Sequence, residues 1–157
     1  MRKRQVGHPL MVVVSLLIVT SYAHAGDSSP DAFRAFGLEG VWSPDCQQPP
    51  SKENPRVVWR VAADKPVFHG VSFDGSTWAL IDTVSGAEIV GDNLIRFSSI
   101  RNGAVFLTVT VERVGDRIHT TASVGANGEV FFRNGIEVMT GKPGMFDERC
   151  DIQIPIS

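Results

Sequence analysis

The sequence predicts an all-β fold, an antiparallel meander β-barrel of about eight to ten strands behind one short N-terminal helix. Short segments rich in Val, Ile, Phe, Thr and Trp follow one another from residue 56 to residue 140. Turn signals such as Asn102-Gly103 and Asn134-Gly135 separate these segments. No helix-length apolar pattern lies between them, which argues against a parallel βαβ architecture. A β-sandwich built from the same strands is the alternative.

The N-terminus, up to Ala25, has the features of a secretory signal peptide. A basic triplet at positions 2–4 precedes an apolar run from Leu10 to Thr20, and Ala23-His24-Ala25 forms a small-residue cleavage site. The apolar run is shorter than the roughly 20 residues that cross a bilayer. We therefore expect Sec-type export with cleavage after Ala25, a periplasmic or secreted product, and no stable membrane anchor after cleavage.

Cleavage leaves one domain, residues 26–157, which is long enough for a single hydrophobic core. Loss of three basic residues from a chain of formal charge −2 gives this domain a charge of −5, so it has no electrostatic basis for binding nucleic acid. Cys46 and Cys150 both lie in this part. An even cysteine count in an exported protein favours a disulfide between them, with two free thiols or an intermolecular bridge as the alternatives.

The predicted helix opens the domain. Ser29-Pro30-Asp31 has the residue types of a helix start, because Ser can cap the first turn, Pro suits the first helical position and Asp complements the helix dipole. Phe33 and Phe36 share one face, and Gly37 suits a left-handed end. So short a helix is stable only if the two Phe side chains dock on the rest of the fold.

The strands follow in order. Gly40-Val41-Trp42 begins the first, and the proline-rich segment Pro44–Pro55 is predicted as an ordered loop held by Cys46. The remaining predicted strands are Arg56–Ala63, Pro66–Phe73, Thr77–Val84, Ala87–Val90, Leu94–Ile100, Ala104–Val114, Arg117–Val124, Glu129–Arg133 and Ile136–Thr140.

Alternation along two of these strands assigns side chains to the core face. The predicted core positions are Val105, Leu107, Val109, Val111, Ile118, Thr120, Ala122 and Val124, and the predicted outward positions include His119 and Ser123.

A short helix followed by Gly-x-Trp on the first strand, here Gly40 and Trp42 behind the helix, resembles the calycin superfamily of lipocalin-like barrels. The resemblance implies that Trp42 closes one barrel end beneath an arginine from a late strand, for which Arg133 and Arg149 are the candidates. The usual lipocalin middle motif is not evident, and the proline-rich loop after Trp42 departs from the pattern.

The chain is also similar to small exported bacterial proteins that share its Trp-Ser-Pro-Asp-Cys start, at Trp42–Cys46, and its late Arg149-Cys150 pair. That likeness implies no activity. Periplasmic protease-inhibitor barrels resemble the chain in architecture, although their disulfide sits differently.

Catalytic motifs are mostly absent from the sequence. HExxH, Walker A and GxGxxG patterns do not occur, and the segment Gly70–Asp74 misses the GxSxG pattern at its last position. His69 and His119 fall in predicted strands, and we expect surface imidazoles there. Their candidate carboxylate partners are Asp74, Asp82 and Glu112. We therefore predict no enzyme, no catalytic residue, no metal ligand and no cofactor.

Aromatic and arginine side chains are the candidate contacts for a ligand or partner: Trp42, Trp59, Trp78, Phe131, Phe132, Arg133 and Arg149. Most aromatics of a small barrel fill its core, but Phe131 and Phe132 are adjacent in a strand and must point to opposite faces. We therefore predict an exported, non-enzymatic binding protein that holds a small apolar ligand in the barrel mouth or contacts an extracytoplasmic protein.

Two other functions stay open. The loop Pro44–Pro55, stiffened by proline, could insert into the cleft of an extracytoplasmic hydrolase of the protease or lysozyme type. Alternatively, His69 or His119 could work with a carboxylate in an enzyme.

Overall fold

The computed structural model describes residues 29–61 and 67–152; the predicted signal peptide and its cleavage site lie outside the described residues. Within these residues the helix α1 spans Ser29–Phe36. The strands are β1 Gly40–Ser43, β2 Arg56–Arg60, β3 Val67–Ser72, β4 Ala79–Gly91, β5 Leu94–Arg101, β6 Ala104–Val114, β7 Arg117–Gly125, β8 Val130–Arg133, β9 Ile136–Glu137 and β10 Asp147–Cys150.

The strands close into a barrel. β1 to β7 pair in sequence order, and β10 pairs with both β1 and β7, which gives a closed antiparallel meander of eight strands. β8 and β9 form a hairpin that continues from the later half of β7. The predicted all-β barrel with a short N-terminal helix is confirmed, and its architecture is consistent with a calycin-like fold.

Helix α1 docks on the barrel through its Phe face, as expected for a helix too short to be stable alone. Phe33 is fully buried, and its ring lies 5.5 Å from that of Trp59 and 5.1 Å from that of Phe97. Gly37 ends the helix with a φ of 73°, as predicted. The barrel interior on this side is therefore filled by aromatic side chains.

Trp42 is buried beside the helix, and its indole N–H donates to the Leu38 carbonyl at 2.8 Å. Arg149 lies opposite Trp42 in the β1–β10 register, but its guanidinium packs against Gly40. Among the described residues, the guanidinium groups seated over aromatic rings belong to Arg101, Arg113 and Arg117, so the expected stacking of Arg133 or Arg149 on Trp42 is not seen. Arg113 instead covers Phe36, with 4.8 Å between guanidinium carbon and ring centre.

The proline-rich segment is an ordered loop, as predicted. The buried Asn54 amide bridges the backbone of Asp45, accepting from its N–H at 3.0 Å and donating to its carbonyl at 2.9 Å. Arg56 is also buried; it donates to Ser43 and to the carbonyls of Asp45 and Gln48. These bonds supply partners for backbone N–H and C=O groups of the loop, which are not paired in a helix or sheet because of the prolines.

A disulfide joins this loop to the last strand, with 5.4 Å between the Cα atoms of Cys46 and Cys150. The predicted pairing is therefore seen, and it fits an oxidising extracytoplasmic location. In the described part of the chain, none of the helical structure has the length and hydropathy of a membrane span.

The errors of the sequence prediction lie at β-bulges. Ser85-Gly86 is not a turn, because β4 continues through it with a register shift against β5. Further shifts in the β5–β6 and β6–β7 pairings reverse the alternation, so Val105 and Val124 are exposed and Ser123 is buried. A bulge adds one residue to one strand and turns every later side chain to the other face.

Two strands near the C-terminus also differ from the prediction. β10 was not predicted, and β9 covers only Ile136–Glu137, whereas the predicted strand continued to Thr140. The sequence of β10, Asp-Glu-Arg-Cys, is poor in strand-forming residue types, so propensity alone gives no signal for it.

Candidate functional site

The barrel interior holds a cavity of about 290 Å³. Its wall is mainly apolar and includes Trp59, Phe97, Leu107, Val109, Ile118 and Phe132. A smaller polar set shares the wall: His69, Asp82, Ser99, His119, Ser123 and Asp147. A concave apolar space with a few polar groups is the usual composition of a small-molecule site, and this volume is near the lower end of the usual range of about 300–1,000 Å³.

One polar group in this cavity is the pair His69 and Asp82. A bulge between β3 and β4 follows His69, and the register sets His69 directly opposite Asp82. The imidazole Nδ1 lies 3.0 Å from Asp82 Oδ1. The indole of Trp59 stacks on the imidazole, with 4.2 Å between ring centres and 12° between planes. The imidazole is therefore fixed by Asp82 at one edge and by Trp59 on one face. The bulge after His69 changes the direction of the following side chains, as bulges beside functional sites often do.

Asp82 is buried and charge-compensated. Burial opposes its ionisation, but hydrogen bonds from His69 and Ser99 together with the charges of His69 and Arg101 outweigh burial, and the net effect lowers its pKa below the usual value. Arg101 Nη2 is 3.8 Å from the second carboxylate oxygen. An ionised Asp82 can only accept, so the imidazole donates through its Nδ1–H in this contact.

Asp147 is the second carboxyl on the cavity wall and has a different environment. It lies opposite Ile118 in the β7–β10 pairing, so its side chain shares the interior face with Ile118. Burial raises its pKa to about 6, against a smaller lowering by the charge of Arg117. In the described part of the chain its carboxyl oxygens have no hydrogen-bond or ion-pair partner.

Asp147 lies where the sheet forks. The first residues of β7 pair with β10, whereas its later residues pair with β8. Phe132 of β8 and Asp147 of β10 line the cavity on the two sides of this fork.

His119 forms a second imidazole–carboxylate pair at the fork. Its Nε2 lies 3.1 Å from Glu112 Oε2, and its ring stacks on Phe146 at 4.2 Å. Gly135 approaches so closely that a Cβ there would lie 3.2 Å from His119 Cε1. The sequence expectation of surface imidazoles is therefore wrong for both histidines, since the side chains of His69 and His119 are only 22% and 13% exposed.

The predicted contact residues are divided between several places. Trp59 and Phe132 line the cavity. Phe131 points to the other face, as alternation requires, and lines an outer groove of about 240 Å³ with Val105 and Phe106. Trp78 packs outside the barrel on the cluster around the disulfide. The other three residues also lie outside both apolar spaces: Trp42 is in the core, and Arg133 and Arg149 are on the surface.

The sequence analysis missed Ser99, Ser123 and Asp147. Asp82 was named there only as a carboxylate in reach of a histidine. The alternation of β5, once Ile95 and Phe97 are assigned to the core, would have placed Ser99 inside. The disulfide would have placed Asp147 beside β1, because Cys150 and Cys46 must be neighbours.

The remaining chemistry-bearing residue types have structural roles. Ser72 accepts from Gly75 N–H at 2.9 Å, and Asp74 accepts from the N–H groups of Ser76 and Thr77 at 2.8 and 2.7 Å. These bonds lower the pKa of Asp74 and build the turn between β3 and β4. Among the described residues no group of three or more His, Cys, Asp or Glu side chains is arranged to hold a metal ion.

Comparison with models of protein families, with curated proteins and with solved structures finds no match to this chain.

Proposed function

We propose that this chain is an exported, non-enzymatic binding protein that holds one small, largely apolar ligand inside the barrel. The observation that carries the proposal is the cavity of about 290 Å³ with its aromatic wall and its few polar groups. An engineered protein cavity of about 150 Å³, roughly half this volume, is large enough to hold benzene. A ligand of one or two rings with a polar substituent fits this space.

Several features support a binding role over catalysis. Ser99 and His69 both hydrogen-bond to Asp82, so the carboxylate is the shared acceptor. In a Ser-His-Asp triad the hydroxyl bonds to the imidazole instead, because the imidazole must take its proton. The disulfide and the predicted signal peptide support a periplasmic or secreted location.

The direct test is native mass spectrometry of the protein purified gently from its own compartment. We expect an extra mass of one small molecule, together with cleavage after Ala25 and the loss of two hydrogens to the disulfide. Val109→Phe places a larger side chain on the cavity wall and should remove the extra mass.

Thr108→Phe is the matched control, because Thr108 is the neighbouring residue on the opposite face of β6 and should leave the bound mass in place. A bare protein from its native source, with no small molecule retained by a fragment screen in ligand-observed NMR, would contradict the proposal.

Inhibition of an extracytoplasmic hydrolase is the second candidate. The observation that favours it is the loop between β1 and β2, which Asn54 and Arg56 hold in one conformation while Gln47, Gln48 and Pro49 stay exposed. A preorganised loop loses little entropy on insertion into a cleft. Replacing the exposed loop residues by Gly and Ser should abolish inhibition of a captured hydrolase; unchanged inhibition would exclude this loop.

A further inference from the structure

Resting on the proposed function, we infer that the ligand of the barrel cavity is a small aromatic cation whose positively charged group pairs with Asp147. Two carboxyl groups face this one apolar space, and the protein compensates the charge of one of them much better than that of the other.

The first carboxyl is already satisfied. Asp82 has an imidazole at 3.0 Å, an arginine at 3.8 Å and the hydroxyl of Ser99. A ligand gains little by approaching it, because its lone pairs and its charge are used within the protein.

The second carboxyl is not compensated to the same degree. The cation whose charge acts on it is Arg117. The Nη2 of Arg117 donates to the Phe146 carbonyl at 2.9 Å, and its guanidinium lies 5.4 Å from the ring of Phe146. That arginine is therefore engaged beside Asp147 and does not ion-pair with it. A partly buried carboxylate without a partner is unfavourable beside an apolar space, and a ligand cation is the group that would best stabilise it.

The apolar wall favours the same class. The rings of Trp59, Phe97 and Phe132 present aromatic surface to the cavity, which attracts both flat rings and cations. An anionic ligand would instead lie beside the Asp147 carboxylate, where like charges repel at low dielectric.

The test uses three probes that share an indole ring and differ in charge: skatole, which is neutral, tryptamine, which is a cation, and indoleacetate, which is an anion. Calorimetric titration of the mature protein near neutral pH should give tryptamine at least a tenfold tighter dissociation constant than skatole, and indoleacetate the weakest. Asp147→Asn should remove most of the advantage of tryptamine and leave skatole unchanged. Asp116→Asn, the same change at an exposed turn position, is the control.

A pH series separates Asp147 from the other titrating groups around the cavity. These groups are His69 on β3, Asp82 on β4, and Glu112, Arg117 and His119 on β6 and β7. Ionisation of Asp147 near a pKa of about 6 predicts that tryptamine binding weakens about tenfold from about pH 7.5 to about pH 5. Asp147→Asn should abolish this weakening, whereas any contribution from the other groups is the same in both proteins.

The outcomes separate the two proposals. Equal affinities for skatole and tryptamine would overturn the cationic ligand and leave a neutral ligand in the same cavity. Tighter binding of indoleacetate would also overturn it. Binding of none of the three would overturn it as well. The copurified mass, with the Val109→Phe variant and its Thr108→Phe control, would then decide the proposed function separately.

Discussion

Replacing Asp147 by Asn should stabilise the protein near neutral pH and not in acid. The carboxyl has a pKa of about 6 in the folded state, against an ordinary value of 3.8 for the unfolded chain. The folded state therefore binds the proton more tightly, so folding stability is highest below the unfolded pKa and falls as pH rises towards 6. Asn keeps the shape of the protonated carboxyl and has no charge to bury.

The magnitude follows from the size of the shift. Two pKa units correspond to a ceiling of about 3 kcal/mol, because each unit is worth about 1.4 kcal/mol. Between about pH 7.5 and about pH 4.5 the same shift predicts a change of about 2 kcal/mol in the stability of the wild-type protein relative to the variant. Asp147 is only partly buried and solvent screens part of its charge, so we expect about 1–2 kcal/mol in practice.

Urea unfolding of both proteins at these two pH values measures the difference. Both pH values lie above the ordinary pKa of an aspartate, and the lowered pKa of Asp82 keeps that carboxylate ionised at both. Asp116→Asn again serves as the control, and it should show no pH-dependent difference. An Asp147→Asn variant that is less stable than the wild type by the same amount at both pH values would refute the reasoning, because Asp147 would then be a structural hydrogen-bonding residue.

Three further predictions concern the frame of the site. Replacing both Cys46 and Cys150 by Ser should lower the free energy of unfolding by about 4–5 kcal/mol, since the disulfide closes a loop of about 100 residues; equal urea midpoints would contradict this. Arg56→Met should cost about 1–3 kcal/mol and speed proteolysis of the loop between β1 and β2, because the carbonyls of Asp45 and Gln48 lose their charged donor. His69→Phe should remove the closest partner of the buried Asp82 carboxylate and cost about 1–3 kcal/mol near neutral pH, with a smaller cost for the double variant His69→Phe with Asp82→Asn.

The fold could be predicted from residue types because its turns carry strong local signals. Asn102-Gly103 and Asn134-Gly135 take the positive φ values that tight hairpins need, and they join β5 to β6 and β8 to β9. The bulges could not be predicted in the same way. Thr110 and Val111 are ordinary strand residues, and the register shift between them is set by pairing with β7.

The site was harder to predict than the fold because its residues come together through long-range pairing. His69 and Asp82 lie on different strands, and they meet only because a bulge adjusts the register of β3 against β4. Asp147 lies on β10, whose residue types do not favour a strand. β10 is held by pairing with β1 on one side and β7 on the other, where the barrel closes. Periodicity within one strand carries no information on such a seam.

The two carboxyl groups of the cavity give the strongest argument that this wall is built for a ligand. A barrel stabilised only for folding would have an apolar residue at position 147, because burial of a carboxyl with a pKa of about 6 reduces stability at neutral pH. Asp82 escapes this cost through His69, Arg101 and Ser99, whereas Asp147 has no comparable set of partners among the described residues. If Asp147→Asn is more stable and also loses its preference for tryptamine, then the Asp147 carboxyl lowers stability because ligand binding requires it. If it is more stable and binds all three indoles as before, the carboxyl serves another purpose and the cavity selects its ligand by shape alone.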